Sequence, residues 1–235
     1  MTALITAIGI HKEYPTAAEP IVALEDVSFV AERGEITLIL GPSGAGKTTL
    51  LNILGGMDIP TKGVLAVDGE NIAAFSRRQR RVYRKDKIGF VFQFYNLDPN
   101  LSALENVELA TQLSAGRAHD AGEALDGVGL AERKTHRPYQ LSGGEQQRVS
   151  IARAIAKNPD IILCDEPTGA LDYATGKAIL QLLQDEARKG NKAVIIATHN
   201  NALKDMADHL IHIKNGQIVG DEKNPSPKNI EEIEW

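Results

Sequence analysis

The chain has 235 residues, of which 43% are hydrophobic and 24% charged, and these ordinary globular proportions exclude a disordered, collagen-like or coiled-coil protein. A chain of this length can form one mid-sized domain, or two closely packed ones, without disulfide bonds. The formal net charge of -5 argues against nonspecific nucleic-acid binding, which depends on basic surface.

Short runs rich in β-branched residues alternate with helix-length segments along the chain. This alternation predicts an α/β fold with a largely parallel sheet. No strand is predicted between residues 101 and 158, so we expect a helical subdomain inserted into the α/β core. The predicted strands are 36–40, 63–67, 88–92, 161–163 and 194–196, and the predicted helices are 47–54, 142–157 and 174–189.

An antiparallel hairpin is predicted near the C-terminus. Segments 210–213 and 217–219 flank Asn215-Gly216, a dipeptide suited to a two-residue hairpin turn because both positions tolerate positive φ. The following tail, 221–235, is polar and contains two prolines, so we expect it to be loosely held. It nevertheless carries the apolar residues Ile230, Ile233 and Trp235.

The single cysteine, Cys164, excludes an internal disulfide. The N-terminus lacks the basic stretch, apolar core and small-residue cleavage site of an export signal. No apolar run approaches the ~20 residues of a membrane-spanning helix. We therefore expect a cytosolic chain that does not cross a bilayer by itself.

A glycine-rich segment lies between the predicted strand 36–40 and the predicted helix that begins at Lys47. It matches the phosphate-binding loop, in which glycines let backbone N–H groups approach phosphates and the helix dipole favours the anion. We expect Lys47 to contact the β- and γ-phosphates of a nucleotide and the Thr48 hydroxyl to hold Mg²⁺. The alternative is a simple glycine-rich turn, which would rarely match the whole pattern. The predicted nucleotide-binding residues are Gly41, Pro42, Ser43, Gly44, Ala45, Gly46, Lys47, Thr48 and Thr49.

Two acidic residues follow the predicted strand 161–163. Asp165 and Glu166 would lie at the carboxyl end of this strand, where open α/β sheets bind their ligands. We expect Asp165 to hold Mg²⁺ and Glu166 to act as general base on the attacking water. Without the glycine-rich loop, two solvated acids at a strand end would be the preferred interpretation.

The most distinctive stretch is 141–148, with the sequence LSGGEQQR. Ser142 and Glu145 have the spacing of a capping box, and the two glycines leave helix N–H groups uncovered for an anion. Here the sequence resembles the ATP-binding cassette (ABC) ATPases, whose signature motif has this form. The resemblance implies a head-to-tail dimer in which the signature of one copy covers the ATP held by the other. A capping box alone would not explain the paired glycines. The signature residues assigned to ATP are Ser142, Gly143, Gly144 and Glu145.

Further residues match motifs of this family, in the same order along the chain. The resemblance implies that Gln93 contacts Mg²⁺ or the attacking water, and that His199 is the switch histidine that contacts the γ-phosphate. It also implies that Asp172 belongs to a loop across the dimer interface and that Tyr14 stacks on adenine. Outside this context Gln93 would be a surface residue, His199 structural, and Tyr14 packed on its own turn. Asn200 stands where many relatives have an acid, which leaves the partner of His199 open.

Seven basic residues are crowded between positions 77 and 87. They could form a patch for nucleic acid or anionic lipid. Helical spacing would instead distribute these charges around a solvated helix, and the net negative charge of the chain does not favour binding of an anionic partner. We therefore expect a solvated basic helix and not a binding patch. These residues are Arg77, Arg78, Arg80, Arg81, Arg84, Lys85 and Lys87.

The resemblance covers residues 4–220 and extends to the subfamily of lipoprotein-releasing, macrolide-export, bacitracin-resistance-type and cell-division ATPases. It is carried by the stretches 89–97 (GFVFQFYNL), 104–107 (LENV) and 136–140 (HRPYQ). It implies a P-loop NTPase core of residues 1–95 and 159–220 that includes an antiparallel β subdomain. The same resemblance implies a helical signature subdomain, 96–158.

The function implied by the resemblance is that of an ATPase using ATP and Mg²⁺ at the cytoplasmic face of the membrane. A homodimer would drive a separate membrane permease that has a large extracytoplasmic domain and docks a helix in the groove beside Gln93 to Leu104. Export or extraction of lipoprotein, peptide or drug is expected. One alternative is a cell-division or signalling ATPase that regulates a cell-wall hydrolase without transport. A soluble ABC ATPase acting on nucleic acid or ribosomes is disfavoured, because such proteins usually carry two cassettes or long insertions.

Overall fold

The computed structural model describes residues 3–17, 19–112 and 118–234, and within them ten strands form two sheets. The predicted strands and the predicted hairpin are all found among them. In chain order the strands are β1 (Ala3–Tyr14), β2 (Ile21–Glu32), β3 (Ile36–Leu40), β4 (Lys62–Val67), β5 (Glu70–Asn71), β6 (Ile88–Val91), β7 (Ile161–Asp165), β8 (Ala193–Thr198), β9 (His209–Lys214) and β10 (Gln217–Lys223).

The larger sheet has six strands in the order β10-β9-β3-β8-β7-β6. The five strands from β9 to β6 run parallel, and only β10 is antiparallel to its neighbour. The hairpin between β9 and β10 turns at Asn215 and Gly216, whose φ angles are +49° and +78°. Every residue of β3, β7 and β8 is buried, which is why the sequences of these strands are mostly apolar.

The smaller sheet is antiparallel, with the order β2-β1-β4-β5. Segment 63–67 was predicted as a strand, but it belongs to this sheet as part of β4 and not to the parallel core. Strands β1 and β2, of 12 residues each, supply most of the sheet. The expected antiparallel β subdomain is therefore present.

Six α-helices surround the sheets in the described part of the chain. Capping boxes at Ser76 and Ser142 start α2 and α5, and the basic cluster lies on α2, where only Tyr83 is buried. The solvated basic helix is thus confirmed, and no strand occurs in the described part of 96–158. No helix of the described residues is long and apolar enough to cross a bilayer. The helices are α1 (Lys47–Leu54), α2 (Arg77–Lys87), α3 (Ala103–Gln112), α4 (Ala121–Gly127), α5 (Gly143–Ala156) and α6 (Tyr173–Arg188).

Two hydrophobic clusters lie on opposite faces of the parallel sheet. Side chains alternate between the faces along each strand. Leu38, Cys164 and Ile196 therefore join the cluster that includes α5 and α6, while Leu163 and Ile195 join the cluster shared with α1 and the antiparallel sheet. The sheet is held from both sides, so the ends of its strands are fixed positions for a site.

The C-terminal tail is packed, so the prediction of a loosely held tail is wrong; Trp235 itself lies outside the described residues. Ile230 is 0% exposed and joins the core beside α6. The Gln184 side chain accepts a hydrogen bond from the Ile230 N–H and donates one to the Lys228 carbonyl. Burial of Ile230 and Ile233 outweighs the polar composition on which the prediction rested.

Replacement of Ile230 by alanine tests this packing. We expect Ile230→Ala to lower the free energy of unfolding by about 2–5 kcal/mol, because a fully buried side chain leaves a cavity. Denaturant unfolding measures the change. The control is Val219→Ala on β10, where the side chain is 63% exposed and a change below about 0.5 kcal/mol is expected. Equal effects of the two substitutions would contradict a packed tail.

Candidate nucleotide-binding site

The glycine-rich loop connects β3 to α1 and leaves the N-terminus of α1 open. Gly44 and Gly46 have φ angles of +77° and +104°, and Gly46 provides no side-chain cap for the helix. The Lys47 ammonium donates hydrogen bonds to the carbonyls of Gly41 (2.7 Å) and Pro42 (3.1 Å). The loop therefore curls around a buried positive charge, as a phosphate cradle requires.

A cleft of about 1110 Å³ opens in front of this loop. Its lining brings together predicted site residues that follow β3, β7 and β8 and one that follows β6. Apolar residues of β2 also line the cleft, together with Phe94 and Tyr95 from the stretch 89–97 and Gln147 from the stretch 141–148, for which no individual role was predicted. The predicted residues on the lining are Pro42, Ser43, Gly44, Ala45, Gly46, Lys47, Thr48, Thr49, Gln93, Asp165, Glu166 and His199.

Asp165 and Thr48 form the part of the site suited to a metal ion. The Thr48 hydroxyl donates to an Asp165 carboxylate oxygen at 2.7 Å. Burial raises the pKa of Asp165, a shift that the hydrogen bond from Thr48 opposes and the nearby Glu166 charge reinforces. Among the described residues no group of three or more His, Cys, Asp or Glu could hold a metal. Two oxygen ligands suit Mg²⁺, which usually takes its remaining ligands from phosphate and water.

Glu166 is held by residues at the end of β8. The Thr198 hydroxyl donates to one carboxylate oxygen (2.8 Å), and the His199 N–H donates to the other (3.1 Å). The His199 ring Nδ1 also lies 2.8 Å from Glu166 Oε1. The partner of His199, which the sequence left open, is thus Glu166, while Asn200 caps the following turn by accepting from the Ala202 N–H. Thr198 was not assigned a role from the sequence.

The signature residues do not line the cleft of their own chain. Ser142 caps α5 by accepting from the Glu145 N–H, and its own N–H donates to the Glu145 carboxylate at 2.8 Å. This bond, with the Arg133 side chain at 2.9 Å, lowers the pKa of Glu145 to about 2. Gly143 and Gly144, like Asp172, also lie outside the cleft lining. A role in ATP contact therefore requires a nucleotide that another copy holds.

Asp172 and Tyr14 have partners of their own. Asp172 caps α6 by accepting hydrogen bonds from the Thr175 N–H (3.0 Å) and hydroxyl (2.7 Å). Tyr14 donates to Asp58 at 2.8 Å, and the Lys12 ammonium lies 4.8 Å from its ring centroid. Neither residue lines the cleft, and the stacking of Tyr14 on adenine stays a prediction.

Comparison with known proteins agrees with this geometry. Residues 24–169 match the family model described as ABC transporter. The chain belongs to the ABC transporter family. It is 45% identical over 217 residues to the macrolide export ATP-binding/permease protein MacB of Rhodopseudomonas palustris, covering 91% of this chain and 33% of the relative. It is 46% identical over 228 residues to an ABC transporter ATP-binding protein of Thermotoga maritima, covering 95% of this chain and 97% of the relative.

A solved structure shares the fold and most of the chain. It is a dimeric post-hydrolysis state of the ATP-binding cassette MJ0796 bound to ADP and Pi, from Methanocaldococcus jannaschii. The TM-score is 0.87 at 41% identity, over 93% of this chain and 98% of the other. Our chain is thus an ABC ATPase with the cassette fold, which uses ATP and Mg²⁺. It spans only about a third of the length of the MacB relatives.

Replacement of Glu166 by glutamine should separate ATP binding from hydrolysis. The amide keeps one acceptor oxygen, enough for either the Thr198 hydroxyl or the His199 N–H, but it is far too weak a base for the attacking water. We expect the hydrolysis rate to fall by roughly 10²–10⁴-fold while ATP affinity stays within about threefold. Phosphate release and equilibrium ATP binding measure the two quantities. A wild-type rate would exclude Glu166 as the base.

Replacement of Lys47 by alanine should weaken ATP binding itself. Its ammonium lies inside the loop that faces the phosphates, so its removal costs a charge-assisted hydrogen bond in the bound state. We expect Lys47→Ala to weaken ATP binding by about 10–100-fold. Calorimetric titration checks this. Unchanged affinity would contradict the assignment of the loop.

Proposed function

We propose that this chain is the ATPase of a membrane transporter, in which two copies close around two ATP molecules and drive a permease. The observation that carries the proposal is the separation of the site into two parts. The cleft holds the loop, the acids and His199, whereas the signature residues cap α5 outside it. Each chain would therefore supply the cleft of one ATP site and the signature residues of the other.

In the proposed reaction the loop and Lys47 bind the phosphates of ATP. Thr48 and Asp165, with Gln93 nearby on the cleft lining, would hold Mg²⁺, which neutralises charge that develops on the phosphates. Glu166 takes a proton from the attacking water. His199 contacts the γ-phosphate and, through Nδ1, keeps the Glu166 carboxylate oriented.

A head-to-tail dimer would complete both ATP sites. The N–H groups of Ser142 and Glu145 are bonded within the capping box, which leaves those of Gly143 and Gly144 uncovered at the start of α5. A second copy in head-to-tail orientation would bring this helix N-terminus to its partner's ATP. The MJ0796 cassette is dimeric in its ADP-bound structure. In this arrangement Asp172 lies in the loop between the two ATP molecules, and Tyr14 stacks on adenine at the margin of the cleft.

The permease would dock in a groove of about 360 Å³. Met57, Phe90 and Phe92 give this groove an apolar lining, and Arg153 and Lys157 add positive charge. The two cations donate hydrogen bonds to backbone carbonyls, and neither forms an ion pair with a carboxylate among the described residues. We infer an occupant with an apolar helical face that carries an acidic side chain, which we assign to the permease.

Arg153 connects the groove to the ATP cleft. Its guanidinium donates to the carbonyls of Tyr95 (2.8 Å) and Asn96 (2.5 Å), and Tyr95 itself lines the cleft close to Gln93. A helix pressed into the groove would move this short segment. Docking and nucleotide state would then be linked through residues 93–96.

Export or extraction of lipoprotein, peptide or drug is the transport function that we favour. The MacB relatives are named as macrolide export proteins that combine ATP-binding and permease parts. A chain acting in this way works at the cytoplasmic face of the membrane. Purification with a permease that has a large extracytoplasmic domain, and ATPase activity stimulated by its substrate, would support transport. Purification with a cell-wall hydrolase or its activator, without substrate stimulation, would favour the signalling function.

An aspartate in the groove tests the docking site. We expect Met57→Asp to reduce recovery of the permease from native membranes at least tenfold, because a carboxylate would be desolvated in an apolar interface. The ATPase rate of the isolated chain should change by less than about twofold. The matched control is Val64→Asp on the antiparallel sheet, where exposure is 41% against 40% for Met57. Equal recovery with both variants would contradict docking in this groove.

A further inference from the structure

Gln147 has a buried amide nitrogen without a hydrogen-bond acceptor in the described part of the chain. The residue is 1% exposed, and among residues 3–17, 19–112 and 118–234 its buried Nε2 atom has no hydrogen-bond partner. A buried donor without an acceptor costs free energy, whereas methionine of similar size would cost nothing of this kind. Such a group suggests a state in which the hydrogen bond is made.

The position of Gln147 indicates where that acceptor lies. Gln147 lines the ATP cleft of its own chain, together with Gly169 and Ala170. It is three residues after Gly144, so both residues lie on the same face of α5. A Cβ atom on Gly144 would lie 3.2 Å from the Ala170 carbonyl oxygen, so this face of α5 already packs closely against the segment 169–171.

We propose that Gln147 is a positioning residue that donates its free amide hydrogen bond to the Ala170 carbonyl when ATP fills the cleft. The bond would join α5, which carries the signature at its N-terminus, to the loop that leads from Glu166 to Asp172. ATP in one chain's cleft would thereby fix the orientation of the signature that the same chain presents to its partner. This role rests on the proposed head-to-tail dimer, but it does not depend on the identity of any permease.

The decisive variant is Gln147→Met, which keeps the volume and removes the donor. We expect kcat to fall about tenfold, the value of one lost hydrogen bond, with KM changed less than about twofold. The thermal midpoint without nucleotide should be unchanged or higher, because an unpaired polar atom leaves the core. Loss of stability together with loss of activity would instead indicate a purely structural amide.

Gln181→Met is the matched control. In Gln181 the buried atom without a partner among the described residues is the amide oxygen, and its Nε2 atom donates a hydrogen bond to Asp185 at 3.3 Å. Gln181 lies on α6 outside the cleft lining. We expect its kcat to stay within about twofold of wild type. Gln147→Leu gives a second apolar replacement in case methionine packs poorly.

Hydrogen exchange provides a readout of the loop itself. In the Glu166→Gln background with ATP and Mg²⁺, segment 168–173 should exchange about tenfold faster when Gln147→Met is added. Without nucleotide the two proteins should exchange alike. A wild-type kcat for Gln147→Met, or identical exchange with ATP bound, would overturn the proposal.

Discussion

The site depends on the pairing of three parallel strands. β3 pairs with β8 and β8 with β7, with Leu40 opposite Thr198 and Asp165 opposite Ala197. This register brings the loop after β3, the two acids after β7 and the histidine after β8 to one edge of the sheet. A shift by one residue would turn every side chain to the other face and separate Thr48 from Asp165.

Sequence patterns predicted the parts of the site that are local in the chain. Residues 41–49 and the Ser142–Glu145 cap follow from spacing alone, because a loop or a cap is formed by neighbouring residues. The contacts of Glu166 with Thr198 and His199 join residues more than 30 positions apart, so only strand pairing creates them. The tail was misjudged for the same reason, since composition cannot show that Ile230 meets α6. The burial of Gln147 likewise depends on packing between distant segments.

The charged side chains of the phosphate-binding loop and of the signature have different partners. Lys47 is buried and, among the described residues, is hydrogen-bonded only to carbonyls, so no carboxylate is paired with it where an anion would bind. Glu145 is instead satisfied by Ser142 and Arg133, and its low pKa keeps it charged at any physiological pH. Its carboxylate is therefore occupied in holding the start of α5, and the backbone N–H groups of Gly143 and Gly144 stay available for phosphate.

A single helix, α5, carries residues of the signature, of the cleft lining and of the groove lined by Met57, Phe90 and Phe92. Its first turn carries the signature, Gln147 in its second turn lines the cleft, and Arg153 near its end bonds the segment after Gln93. Val149, Ile151 and Ala152 are fully buried between these positions, so the helix moves as one rigid unit. In the proposed dimer this helix would touch its own ATP, the partner's ATP and the docking groove, so it could not respond to one of them without changing its fit to the others.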